Sequence, residues 1–254
     1  MRIVGVIPAR MRAGRFPGKP LHPILGRPMI EHVYLRAARH AGWDSLHLAT
    51  CDREIEAFGR ARGWSVIMTS DQHVRCLDRV AEAAELVRPA LASTDLVVCV
   101  QGDEPMLAPA MIAAVTEPLL RDASVECCAL ALPILEEAQF VNPDTVKVVA
   151  DVHGDVRYTS RSPIPYMRRF TAELGARRLY GLFAFRLGCL RRFTALPPAP
   201  LEIAESCDSN RLCGHGLRQR LAVYPHVPSF SVDRMADVAL VEAAMPADPL
   251  WGTY

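Results

Sequence analysis

Ile3-Val4-Gly5-Val6-Ile7-Pro8-Ala9-Arg10, followed by Arg15-Phe16-Pro17-Gly18-Lys19-Pro20-Leu21, decides how the rest of the chain is read. Ile3–Ile7 is a short apolar run of the kind that forms a strand covered on both faces. Pro8 and Arg10 end the run, and a basic loop from Pro8 to Pro20 follows at once. Arg10, Arg15 and Lys19 stand in that loop between Gly and Pro residues. A triphosphate requires such a set: Arg supplies forked donors, Lys a point charge, and Gly18 lets backbone N–H groups approach oxygen. The plain alternative is a solvated basic loop; the ordered spacing behind a buried strand favours phosphate.

Outward from the loop, apolar strands alternate with helical periodicity as far as residue 135. Pro28–Ala41 reads as a helix with Ile30, Val33, Tyr34, Ala37, Ala38 and Ala41 on one face and Gly42 as its stop. Leu46–Thr50, Val66–Thr69, Leu96–Val100 and Cys128–Leu132 read as strands, and Asp52–Arg62, Asp78–Val87 and Pro109–Leu120 as helices. Such alternation predicts an α/β fold with a mostly parallel sheet and helices on both faces. Sites in these sheets lie beyond the carboxyl ends of the strands. After Pro133 the pattern changes: Val146–Val149 and Val156–Thr159 read as a hairpin, Arg161–Ala176 as a loop, and Leu179–Arg186 as an apolar strand. Leu196–Pro200 reads as a rigid linker to a helix near Leu201. Leu221–Tyr224 and Phe230–Val232 read as short strands, and Met235–Met245 as a final helix. We divide 1–254, as one domain, into a nucleotide-binding core (1–135), a smaller mixed β/α segment (136–225) and a return to the core (226–254).

The 254 residues are half hydrophobic, enough for a sizeable core, and 29 basic against 28 acidic side chains leave a formal charge of +1. That balance speaks against nucleic acid as a partner. No stretch approaches the ~18 apolar residues of a membrane span, and the apolar run at Ile3 is too short for a secretory leader. The eight cysteines, Cys51, Cys76, Cys99, Cys127, Cys128, Cys189, Cys207 and Cys213, form no CxxC pair and suit a reduced, cytoplasmic protein. Cys207, Cys213 and His215 match no zinc spacing.

Two carboxylates complete the motif reading. Val100-Gln101-Gly102-Asp103-Glu104-Pro105 places Asp103 just past a strand, where it could hold Mg²⁺ or simply build a turn. Asp233, after Val232, is either a second metal ligand or a cap of the helix that follows.

On these motifs the chain resembles the 3-deoxy-manno-octulosonate (Kdo) cytidylyltransferases, the CMP-Kdo synthetases, as a divergent member. Matching segments are Ile7–Arg10, Arg15–Leu21, Gly26–His32, Val100–Pro105, Asn142–Val149, Ser160–Pro165, Pro200–Glu202 and Val232-Asp233. The resemblance implies a Rossmann-like domain whose smaller lobe serves acceptor binding and homodimerisation. It implies transfer of CMP from CTP to a 3-deoxy-2-ulosonic or related acidic acceptor, with Mg²⁺ and release of pyrophosphate. Arg10, Arg15 and Lys19 match phosphate-holding positions, with Pro8, Ala9 and Gly18 beside them; Asp103 and Asp233 match the Mg²⁺ ligands; Gln101 matches a position near the acceptor.

Three departures fall on the remaining site positions. The family's His-x-Ser-Gly-Thr-(Asp/Glu)-Arg reads His73-Val74-Arg75-Cys76-Leu77-Asp78-Arg79, which removes two hydroxyls near the nucleotide and leaves Arg75, Asp78 and Arg79 as candidate nucleotide contacts. The family's His before Gly-(Ile/Leu)-Tyr-x-Tyr-Arg is Leu179, and the two tyrosines are Phe183 and Phe185. The family's Glu-Gln-Leu-Arg reads Asp208-Ser209-Asn210-Arg211, an unusually polar helix. With Arg161 and Glu205, these residues are the expected acceptor contacts, and lost donors predict an altered acceptor preference. A nucleotidyltransferase with another base or a sugar phosphate acceptor, and a non-catalytic nucleotide-binding paralogue, stay open at this point.

Overall fold

The computed structural model describes residues 1–12 and 14–254; residue 13 of the basic loop lies outside them. β1 (Ile3–Ala9) runs into the loop, which closes in a 3₁₀ turn at Lys19–Leu21, and a ribbon of β2 (Pro23–Ile24) and β3 (Arg27–Pro28) leads to α1 (Met29–Ala37). The alternation continues through β4 (Ser45–Thr50), α2 (Arg53–Ala61), β5 (Ser65–Met68), α3 (Cys76–Leu86), β6 (Leu96–Val100), α4 (Pro109–Arg121) and β7 (Cys127–Pro133). Then follow α5 (Glu137–Val141), β8 (Lys147–Ala150), β9 (Val156–Ser160), β10 (Arg177–Arg186), α6 (Leu187–Ala195), α7 (Pro200–Glu205), α8 (Ser209–Gly214), β11 (Arg220–Val223) and α9 (Met235–Ala244).

The main sheet runs β11-β7-β10-β6-β1-β4-β5, with β8 and β9 as a hairpin against β10. β5, β4, β1 and β6 are mutually parallel, and β7 is parallel to β11. β10 runs against β6 and β7, between which it lies, and against β8. Strand side chains alternate between two cores. Val4, Val6, Val97 and Cys99 meet Leu77, Val80 and Ala84 of α3 and Leu190 and Phe193 of α6. Ile7, Leu96, Val98 and Val100 meet Ile30 and Val33 of α1 and Met111, Ile112 and Val115 of α4. Every residue of β6 is therefore buried, which is why its sequence shows no polar alternation.

The smaller mixed segment 136–225 shares the core sheet: β10 is hydrogen-bonded between β6 and β7, β11 extends the same sheet, and the β8–β9 hairpin pairs with β10. The apolar run Leu179–Phe185 is thus mostly interior to a single chain. Phe230–Val232 forms no strand; it is an extended segment tied to the core by Val232 N–H donating to Asp103 O at 2.9 Å. The helices α5 and α6 were not foreseen. α6 follows β10 with no intervening loop, and the polar residues of α8 conceal its buried face.

Candidate active site

The carboxyl ends of β1 and β6 lie side by side and carry the two motifs that lead out of them. The Gln101–Pro105 turn packs directly on the end of β1: a Cβ at Gly102 would lie 2.8 Å from Pro8 O, so only glycine fits there. Because β10 is antiparallel, its first half reaches this same edge; Leu182 pairs with Val100, and Gln101 N–H donates to Gly181 O at 2.8 Å.

Lys19 is the centre of the charged cluster at this edge. Its Nζ donates to Asp103 Oδ2 at 2.8 Å and to Val232 O at 2.9 Å, and lies 3.8 Å from Asp233 Oδ1. Burial alone would lower the Lys19 pKa; the Asp103 carboxylate outweighs it and holds the ammonium above its ordinary value. Arg15 spans Asp144 Oδ1 at 2.6 Å and Asp233 Oδ1 at 2.7 Å. Burial and the neighbouring Asp103 push the Asp233 carboxyl up. Asp103 Oδ1 is buried and has no hydrogen-bond partner among the described residues. Among those residues Arg10 makes one side-chain bond, from Nη1 to His73 O at 3.2 Å, which leaves donors for a ligand.

Arg10, Arg15, Lys19, Asp103 and Asp233 line a cavity of about 270 Å³ together with Pro8, Ala9, Arg75, Cys76, Arg79, Gln101 and Gly102. Gly18 lies outside its wall and closes the loop through its N–H to Met11 O at 2.9 Å. A second, larger space of about 780 Å³ shares Arg15, Arg75, Cys76, Gln101, Asp103 and Asp233 with the first and continues along Arg161, Leu179, Phe183 and Asp208. The two spaces therefore meet over Gln101 and Asp103.

Several expected contacts lie off both walls. Asp78 is turned to Arg211, whose Nη1 is 3.4 Å away. Phe185 is fully buried in the core against Phe193. Asn210 is buried and clamps β9, accepting from Thr159 N–H at 3.1 Å and Oγ1 at 2.9 Å and donating to Thr159 O at 2.9 Å. Glu205 accepts from Tyr158 OH and Ser160 Oγ, both at 2.7 Å, and from Arg161 N–H at 2.8 Å, so it positions Arg161 and does not face the cavity. The three polar groups each meet a partner on another element, and Phe185, on the same face of β10 as Phe183, lies one pair farther from the site and is covered by Phe193.

Other groups at the site were not singled out from sequence. Glu104 accepts from Ser231 Oγ at 2.6 Å and from Gly181 N–H at 3.1 Å. Burial, with Asp103 beside it, lifts the Glu104 pKa to about 7. Arg178 lines the larger cavity, donates to Ser229 O at 2.9 Å and has no carboxylate partner within 4.0 Å among the described residues. Asp144 holds both Arg15 and Arg234. Glu104 and Asp144 sit inside the quoted motifs, but an acid in a turn gives no sign of which cation it will meet.

A cytidylyltransferase family model matches residues 4–220. The 3-deoxy-manno-octulosonate cytidylyltransferase of Nitratidesulfovibrio vulgaris (strain DP4) is 43% identical over 243 residues, 93% of each chain. That of Syntrophobacter fumaroxidans is 41% identical over 249 residues, 98% of each chain. A solved structure of CMP:2-keto-3-deoxy-manno-octonic acid synthetase complexed with CTP superposes with a TM-score of 0.86 at 35% identity, covering 97% of this chain and 99% of that one. With the basic loop, the Gln101–Pro105 turn and Asp233 converging on one sheet edge, this chain belongs to the 3-deoxy-manno-octulosonate cytidylyltransferase family.

Proposed function

We propose that this chain transfers CMP from CTP to 3-deoxy-manno-octulosonate and releases pyrophosphate. The observation that carries the reading is the meeting of the two cavities over Gln101 and Asp103, with Arg10, Arg15 and Lys19 on one side and Arg161, Phe183 and Asp208 on the other. Arg10, Arg15, Lys19 and Arg79 bind the triphosphate, and the shared wall brings the acceptor hydroxyl in line with the α-phosphorus. Positioning of this kind is worth about 7–11 kcal/mol of barrier, and the fixed cations neutralise charge as the leaving pyrophosphate separates.

Asp103 and Asp233 would hold Mg²⁺. The unpaired, buried Asp103 Oδ1 is a hard oxygen donor in need of a cation. Among the described residues no three His, Cys, Asp or Glu side chains form a metal cage. Two carboxylates suffice, because Mg²⁺ ordinarily keeps waters and substrate phosphates in its shell. When bound, the ion would neutralise phosphate charge and lower the pKa of the acceptor hydroxyl.

A homodimer belongs to the same reading, supported by exposed Tyr166, Leu174, Leu201 and Ile203 on the segment 136–225; sedimentation measures it. A cytoplasmic setting is supported by eight free thiols. No helix is long and apolar enough to cross a membrane. No feature favours a sugar phosphate acceptor, another base, or a non-catalytic role. The test is pyrophosphate release from CTP with 3-deoxy-manno-octulosonate, beside UTP, dTTP and ATP and other 2-keto acids. No release from the CTP and 3-deoxy-manno-octulosonate pair by folded protein overturns the reading.

A further inference from the structure

Arg75 stands where the family carries a serine beside the nucleotide, and the sequence places it with the nucleotide contacts. The structure directs its side chain elsewhere. Its backbone opens α3 at the phosphate cavity, but its Nε lies 3.8 Å from Asp208 Oδ1 and 3.8 Å from Glu202 Oε1, and its Nη2 reaches Glu202 O at 3.4 Å. Glu202 has no need of it. Arg211 grips that carboxylate with two prongs at 2.6 and 2.8 Å, and Ala199 N–H donates to it at 3.1 Å. Asp208 has much less. Among the described residues its carboxylate accepts one hydrogen bond, from the Cys76 thiol at 3.5 Å, and the charged groups facing it are Arg75 at the cap of α3, Asp78 from α3, Glu202 from α7 and Arg211 from α8. Arg211 is already committed to Glu202 and Asp78, so Arg75 is the cation left for Asp208. Asp208 lines only the larger cavity, and Arg75 lines both.

We propose that Arg75 is a specificity-determining residue for the acceptor: its guanidinium neutralises Asp208 in the larger cavity, so that an anionic acceptor meets a compensated wall there. The inference rests on the proposed transfer to an acidic acceptor. It assigns Arg75 to the second substrate instead of the first. Asp208 then accepts from acceptor hydroxyls, while Arg75 cancels the charge that would repel the acceptor's carboxylate. Cys76 sets the spacing, since its thiol lies between Gln101 Nε2 at 3.4 Å and Asp208.

The test compares wild type with Arg75→Ser, Arg75→Lys and Asp208→Asn. For Arg75→Ser the KM for 3-deoxy-manno-octulosonate should rise about tenfold while the calorimetric Kd for CTP stays within about twofold. Arg75→Lys should restore most of the acceptor KM. Adding Arg75→Ser to Asp208→Asn should cost little further, because the two act through one pair. In parallel, carboxyl carbon NMR of Asp208 should show its titration moving up by about one unit or more in Arg75→Ser. A CTP Kd that weakens as much as the acceptor KM would overturn the assignment, as would a lowered Tm with no change in either constant. So would an Asp208 titration that ignores Arg75. If wild type turns over no 3-deoxy-manno-octulosonate, the proposed function fails by itself, while the NMR titration and the CTP Kd still decide for or against Arg75.

Discussion

Replacing Lys19 with methionine removes one charge and little volume from the place where two carboxylates converge. The Nζ lies 2.8 Å from Asp103 and 3.8 Å from Asp233, with side-chain exposures of 14% for Lys19, 24% for Asp103 and 26% for Asp233. At an effective dielectric constant near 20, unit charges about 4 Å apart interact by about 4 kcal/mol. Partial exposure screens about half of that, so Lys19→Met forgoes about 2 kcal/mol of attraction between the ammonium and the two carboxylates. Two effects of opposite sign follow. Folding loses about 2 kcal/mol, and kcat/KM for CTP falls on the order of 10²–10³, the usual consequence of removing one charged contact from a developing phosphate charge. Mg²⁺, by contrast, should bind the nucleotide-free variant more tightly, by about thirtyfold for 2 kcal/mol, because a divalent ion no longer competes with an ammonium for Asp103 and Asp233. Titration calorimetry of Mg²⁺ into nucleotide-free wild type and Lys19→Met reads this directly. Unchanged or weaker Mg²⁺ binding in a folded variant would refute the claim that Lys19 and the metal share the two carboxylates.

Gly181→Ala would put a Cβ 2.8 Å from Glu104 Cγ and 2.9 Å from Gln101 Cβ; the turn must shift, at about 1–3 kcal/mol of stability, and turnover should fall more steeply than Tm alone accounts for. Arg211→Met takes from Glu202, 1% exposed, its two-pronged partner and leaves it only Ala199 N–H and the Arg75 guanidinium 3.8 Å away; urea unfolding should show a loss of about 3–5 kcal/mol, which Glu202→Gln in the same chain should partly restore. Glu104 holds its proton in the folded state up to about pH 7, whereas an unfolded glutamate loses it near 4.5. The folded state therefore binds the extra proton, so this group lowers stability progressively as pH rises between those values, and Glu104→Gln should flatten the pH profile and raise stability at pH 8 by about 1–3 kcal/mol.

The parallel half of the fold was legible because its signals are local. β1, β4, β5 and β6 are apolar runs closed by turn residues, and α1, α3 and α4 carry their buried positions at helical spacing. The phosphate end was legible for the same reason: Arg10, Arg15, Lys19 and Asp103 sit directly beyond strands, and parallel pairing of β1 and β6 then brings them to one edge. What lay beyond local pattern was the direction of β10. An apolar strand of ten residues reads alike in either orientation, and only its insertion against β6 and β7 turns Leu179, Gly181 and Phe183 toward the site while Arg186 goes to the other end.

The acceptor end resisted reading because its polar groups are paired over long stretches of chain. Arg75 and Glu202 are 127 residues apart, and Asp78 and Arg211 are 133. Seen one at a time, Ser209, Asn210 and Arg211 mark a helix turned to water, yet all three are buried. Burying them is tolerable only because most of their donors and acceptors find partners, Asn210 on Thr159 and Arg211 on Glu202 and Asp78. That exchange of solvent for fixed partners fixes which acids are neutralised from within the scaffold and which are not. Glu202 and Asp78 are covered by Arg211; Asp208 depends on a residue from the far side of the cleft. A change at position 75 therefore alters the charge of the acceptor cavity while leaving the family's scaffold of Glu202 and Arg211 in place, and it is by such changes that one sheet edge can keep its triphosphate chemistry and still revise what it accepts.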